Sequence, residues 1–148
     1  MSALPRWAAP REASADGTGH VRVKLDGISI NDLMVTSKSA DGWVSDTAFW
    51  RQSFDTTPTV GSDAYPENQS SGGVGAPGTF TFTPKVKHIV SYTYSFNYGT
   101  PVTVKVGRGH TATVSWTPDQ SGFTDLEVYA TTKDGLELMP YDYFFTVN

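Results

Sequence analysis

One segment of this chain is written twice. Asp32-Leu33-Met34-Val35, followed after five residues by Asp41-Gly42, returns as Asp125-Leu126-Glu127-Val128, followed after five residues by Asp134-Gly135. The two copies stand 93 positions apart. Upstream, Gly19-His20 returns as Gly109-His110 at an offset of 90, so the intervening segments differ by three residues. A period of this length is that of one β-sandwich, roughly 100 residues. The repeat therefore sets the size of the folding unit. The 148 residues have room for one such unit and a fraction of another, and the first copy is expected to be the incomplete one.

Composition narrows the class. Hydrophobic residues make up 38% and aromatic residues 13% of the chain, enough to fill a core. Fifteen acids against eleven bases give a formal charge of -4 without any basic stripe. Neither nucleic acid nor an anionic membrane is an expected partner. Cysteine is absent, which removes disulfides, thiolate catalysis and cysteine-ligated zinc. No run approaches the roughly 18 apolar residues of a membrane helix, so no membrane insertion is expected. Residues 1–18, rich in Ala, Pro and Arg and without an apolar signal core, read as a disordered tail.

From Val21 onward apolar residues alternate with polar ones at period two, the pattern of half-buried strands. Phe80 and Phe82 alternate with threonines. Val90, Tyr92, Tyr94, Phe96 and Tyr98 share one face, opposite Ser91, Thr93, Ser95 and Asn97. Further runs carry Val102, Val104 and Val106; Ala112, Val114 and Trp116; Leu126, Val128 and Ala130; and Tyr143, Phe145 and Val147. Asn97 to Pro101, Gly107 to Gly109, Thr117 to Gly122 and Asp134-Gly135 supply the turns. Gly72 to Gly78 is too glycine-rich for regular structure and reads as an irregular edge or bulge. Residues 58–148 thus form one complete sandwich, and the polar, proline-bearing stretch Phe54 to Thr59 reads as a joint between domains. Before it, residues 19–57 offer three strands, Val21 to Leu25, Leu33 to Ser37 and Thr47 to Phe54, which the repeat equates with the last three of the complete unit.

Asp63-Ala64-Tyr65-Pro66, the glycine-rich Gly72-Gly73-Val74-Gly75 and the strand Pro77-Gly78-Thr79-Phe80-Thr81-Phe82 form an opening of recognisable type. With Tyr92-Thr93-Tyr94 and a final Phe145-Thr146-Val147, the chain resembles immunoglobulin-like or fibronectin-III-like repeats of large secreted actinobacterial proteins. The resemblance covers residues 59–148, and residues 19–57 as a terminal half. It implies an all-β fold, an Ig-like antiparallel β-sandwich preceded by a partial three-strand unit. It also implies a secreted or cell-surface setting, and neighbouring domains of a larger protein as partners.

Residues able to carry chemistry are few. His20, His88 and His110 have no acid–base partner nearby in sequence, and the equivalent repeat positions of His20 and His110 suggest a structural role in a strand. No nucleophile-elbow pattern is present, so no catalytic residues are assigned. Asp63, Glu67, Asp119, Asp125 and Asp134 could supply oxygen ligands to a Ca²⁺ ion, but read better as solvated turn carboxylates. No metal and no cofactor are expected. A glycan is the possible small ligand, since sugar recognition needs exposed planar rings with polar neighbours. Tyr92 and Tyr94 have the spacing for such a platform, although their face reads first as core; Tyr129 and Phe144 fall out of phase with their buried neighbours.

The incomplete unit has a physical consequence. Three strands cannot bury their own apolar face. Cover is expected from the second domain, from self-association through residues 20–57, or from about four strands encoded before Gly19. The function expected is a non-catalytic spacer or adhesion module, with a carbohydrate-binding module as the alternative.

Overall fold

A computed structural model describes residues 11–22 and 30–148. The tail reading of residues 1–10 and most of the expected strand at Val21 to Leu25 lie outside the described residues. Residues 11–22 are irregular, with one turn in which Ser14, Asp16 and Thr18 bond one another.

The first two strands, β1 (Ile30–Val35) and β2 (Ala48–Ser53), form an antiparallel pair. Then come β3 (Thr59–Gly61), β4 (Ser70–Ser71), β5 (Gly78–Thr83), β6 (Ile89–Phe96) and β7 (Val102–Lys105). A short 3₁₀ turn at Arg108–His110 leads to β8 (Ala112–Trp116), β9 (Gly122–Thr132) and β10 (Tyr141–Val147). Strands β3, β5 and β8 make one sheet, and the order β4-β10-β9-β6-β7 makes the other. The chain crosses to the larger sheet after β5, returns for β8 and crosses again into β9 and β10, which is the layout of an Ig-like sandwich. All pairings are antiparallel except β4 with β10.

The alternation of β5 decides its placement: Phe80 and Phe82 are buried while Thr79, Thr81 and Thr83 face water. They meet Ile89 and Tyr92 of β6, Val114 of β8, Leu126 and Val128 of β9, and Tyr143, Phe145 and Val147 of β10. Each such side chain contributes about 1.5–3 kcal/mol through burial. Tyr65 enters the same core from the β3–β4 loop, with its ring 6.1 Å from Phe80 and 5.3 Å from Phe145. Its hydroxyl donates to Ala76 O at 2.5 Å. The ring lies against Gly72 and Gly78, where any Cβ would collide with it. The Tyr-Pro pair and the glycine-rich stretch are therefore one packing device: the glycines are the floor on which the tyrosine sits.

Strand β6 departs from strict alternation. Ile89 pairs with Thr132 and Ser91 with Thr131, so Val90 is an extra residue without a partner, a β-bulge. Val90 is 41% exposed and Ile89 takes the inward position beside Tyr92. The expected five-residue ladder is broken at both ends. At its far end Asn97 and Tyr98 have φ of 49° and 56°, and Gly99 N bonds Phe96 O at 2.9 Å. This is a tight turn of the primed hairpin kind, and it throws Tyr98 outward.

The repeat persists in three dimensions. Leu33 faces Trp50 and Val35 faces Ala48 across β1–β2; Leu126 faces Tyr143 and Val128 faces Tyr141 across β9–β10. Every position of the first hairpin is matched 93 residues later, and the loops agree as well. Ser39 N bonds Trp43 O at 2.8 Å and Thr132 N bonds Leu136 O at 2.9 Å. Trp43 N donates to Ser39 Oγ at 3.0 Å, as Leu136 N does to Thr132 Oγ1 at 3.1 Å. Gly42 and Gly135 take φ of 94° and 80°, the left-handed conformation that Asp-Gly supplies without a steric penalty.

The polar joint is anchored rather than loose. Asp55 pairs with Lys85 at 2.6 Å, Met139 N donates to Thr56 Oγ1 at 3.2 Å, and Pro58 is fully buried.

Candidate functional site

The outer face of the five-stranded sheet carries polar side chains interrupted by rings. Alternation along β9 turns Phe123, Asp125, Glu127 and Tyr129 outward, opposite the buried Thr124, Leu126, Val128 and Ala130. On β10 the same logic exposes Asp142 and Phe144. Phe123 is 68% and Phe144 36% exposed, and their rings lie nearly parallel, 5.6 Å apart and inclined by 25°. Two apolar rings are thus held together on the water-facing side of the sheet.

Asp125 stands opposite Phe144 in the ladder and beside the β6–β7 turn. Its backbone N donates to Asn97 Oδ1 at 2.9 Å, and Asn97 N donates back to Asp125 O at 2.8 Å. These bonds hold Asn97 and Tyr98 in their left-handed conformations, which side chains other than glycine adopt at a cost. Asp125 is only 4% exposed, and its Oδ1 has no hydrogen-bond partner. Burial pushes its carboxyl above the usual range, against the pull of a hydrogen bond with Tyr98, and neighbouring Asp142 adds to the rise. Tyr98, 84% exposed, has its own hydroxyl pushed up, first by that hydrogen bond to Asp125. The patch thus combines two stacked rings, a strained exposed tyrosine and a buried carboxylate with an open valence. The rings can stack on an apolar or sugar face, while the enclosed Asp125 Oδ1 lies beneath the surface.

The sequence-based assignments are redistributed. Tyr92 is a correction: it is fully buried, packed on Phe82 at 5.6 Å, with its hydroxyl donating to His110 O at 2.9 Å. A ring enclosed by its own core cannot stack on a ligand. Tyr94 points to the same inner side, half-buried against Phe82 and Phe96. Tyr129 is half-buried on the outer face, opposite Thr93. Phe144 is exposed as the phase of β10 required. Phe123 was missed, although the same alternation that freed Tyr129 identifies it. Tyr98 was placed in the same ladder as Tyr92 and Tyr94, because the turn that expels it needs two positive φ values that Asn-Tyr does not advertise.

His110 lies in the 3₁₀ turn rather than in a strand, with Nδ1 2.9 Å from Ile89 O. His20 is exposed in irregular chain. Glu67 accepts the Tyr141 hydroxyl at 2.7 Å. Among the described residues no three His, Asp or Glu side chains are grouped to hold a metal ion, and no helix is long and apolar enough to cross a membrane.

No family model matches the sequence, and the curated proteins give no match. Similar solved structures include the PKD domain of an M14-like peptidase from a Thermoplasmatales archaeon, at 20% identity and a TM-score of 0.45 over 62% of this chain and 94% of that one. The D00-D0 domain of intimin is similar at 14% identity and a TM-score of 0.36, over 88% of this chain and 68% of that one. The all-β sandwich assignment stands on the strand order itself.

Proposed function

We propose that this chain is a non-catalytic Ig-like spacer and adhesion module of a secreted or cell-surface protein, joined to neighbouring domains. One observation carries the reading: the short parallel patch between the second strand of the sandwich and its last. Ser70 and Ser71 of β4 lie beside Thr146 and Val147 of β10. Three backbone bonds tie them: Asn68 N to Phe144 O at 2.7 Å, Thr146 N to Gln69 O at 2.9 Å and Asn148 N to Ser71 O at 3.3 Å. Tension between the chain before β3 and the chain after β10 passes first through the pairing of β3 with β5 and then loads these bonds in shear. They must break together rather than one by one, which suits a unit that transmits force.

The test is single-molecule extension of the full chain. Thr146→Pro removes the donor to Gln69 O on the side of β10 that faces β4, in a strand bonded to neighbours on both sides. The unfolding force is expected to fall clearly, with equilibrium stability lower by about 1–3 kcal/mol or more because the ladder bond to Gln69 O is lost inside the sheet. An unchanged force would remove the mechanical reading.

The stacked pair Phe123 and Phe144 favours a second reading, a carbohydrate-binding module accessory to a glycan-active enzyme. Glycan pull-down with Phe123→Ala and Phe144→Ala separates the two. Loss of binding by a still-folded variant supports the sugar platform, and absence of any glycan binding by the wild type removes it.

A further inference from the structure

The shared register assigns a place to the β1–β2 hairpin. In β9–β10 the inward positions Leu126, Val128, Tyr143 and Val147 are buried by the facing sheet, and the pair is flanked by β6 and β4. Their counterparts 93 residues earlier are Leu33, Val35, Trp50 and Phe54. These are apolar too, yet Trp50 is 52% exposed, Val35 and Phe54 are exposed, and Leu33 is half-buried. The opposite face carries the Asp32–Arg51 pair at 2.7 Å beside Met34 and Phe49, with the Arg51 guanidinium over the Phe49 ring at 5.4 Å.

We infer that β1–β2 is the closing hairpin of a second Ig-like strand set, docking there in the position that β9–β10 occupy against β3 to β8. The inference goes beyond the spacer reading and stands without it. The occupant of the apolar face is an open set of Ig-like strands that lacks its own last hairpin. It is not the sandwich of another copy. In that sandwich the place is filled by a covalently attached hairpin, and the first hairpin is polar at two positions where the second is buried and apolar, Gln52 for Phe145 and Ser45 for Leu138. Gln52 is the counterpart of Phe145, which packs 5.5 Å from Phe80 and 5.7 Å from Trp116. An amide among those rings would lose water and keep only its own donation to Ser53 O at 3.2 Å, leaving its carbonyl oxygen unpaired. The partner strand set therefore carries apolar groups opposite Leu33, Val35 and Trp50 and a hydrogen-bonding group opposite Gln52.

The experiment grafts the hairpin into the one strand set at hand. In the full chain, residues 122–147 are replaced by a second copy of residues 29–54 carrying Gln52→Phe. A cooperative thermal transition is expected, and it is expected to be lost when Trp50→Asp is added to the graft. If the first graft does not fold, Ser45→Leu is added, restoring the counterpart of buried Leu138. Absence of a transition in both grafts overturns the inference. Sedimentation of the intact chain tests the other occupant. A monomer agrees with the inference, whereas a dimer that Trp50→Asp converts to monomer assigns the face to a second copy and overturns it.

Discussion

Asp125 is the residue at which the fold works against itself. Its Oδ1 is enclosed without a partner, and burial raises its carboxyl above the usual range. A carboxyl whose folded pKa exceeds the unfolded one stabilises the protein below about pH 4 and loses that contribution as pH rises through the folded value. At neutral pH its charge is therefore a net cost. Asp125→Asn, which keeps an oxygen for Tyr98 and removes the charge, is expected to gain about 1 kcal/mol at pH 7. The gain should vanish at pH 3, and denaturant titrations at the two pH values measure it. Equal stability of both proteins at pH 7 would mean that the carboxylate is satisfied.

Two tyrosines govern the alkaline limit. Burial pushes Tyr92 up to about 12. Tyr141 is pushed up to about 12 as well, first by its hydrogen bond to Glu67 and then by burial. Both rings are neutral in the fold, so their contribution is complete below about pH 10, the unfolded value, and is lost as pH rises toward 12. Stability is expected to fall over that window. Tyr92→Phe and Tyr141→Phe should each flatten the decline, read from thermal melts at successive pH values. A decline unchanged in both variants would place the titration elsewhere.

At the scale of elements, the bulge in β6 decides which of two neighbouring residues belongs to the core. Ile89→Ala should cost about 2–5 kcal/mol, the price of a buried branched side chain. Val90→Thr should stay within about 0.5 kcal/mol, because Val90 faces water. Chemical denaturation of the two variants separates them, and the reverse order would restore the unbroken ladder. Strands with clean alternation, such as Phe80 and Phe82 or Leu126, Val128 and Ala130, were legible because period two is a backbone property. The bulge was not, since Ile89-Val90 offers two branched apolar residues and only the pairing with β9 chooses between them. The candidate patch was half legible for the same reason. Phase exposes Phe144, and would have exposed Phe123, but the outward swing of Tyr98 depends on the Asn97–Asp125 bonds, which join residues 28 positions apart.

For the whole molecule, the duplicated hairpin makes a prediction about cooperativity. The strands from β3 to β10 share one core, in which Tyr65, Phe80, Phe145 and Trp116 are in mutual contact. β1 and β2 form a sheet of two, and a two-stranded sheet in water is marginally stable at best. The anchoring contacts of Asp55, Thr56 and Pro58 lie after the hairpin, so they secure the sandwich without it. Amides of Ile30–Val35 and Ala48–Ser53 are accordingly expected to exchange with solvent through local opening, independently of low denaturant. Amides of Phe82, Tyr92 and Leu126 should exchange only with global unfolding. A chain shortened to begin at Asp55 should lose less than about 1 kcal/mol of stability, because no buried contact of the core is removed. Equal protection in the hairpin and in β9 would show one cooperative body. Strong protection that appears only when a foreign Ig-like strand set is supplied would instead identify what the first hairpin was shaped to complete.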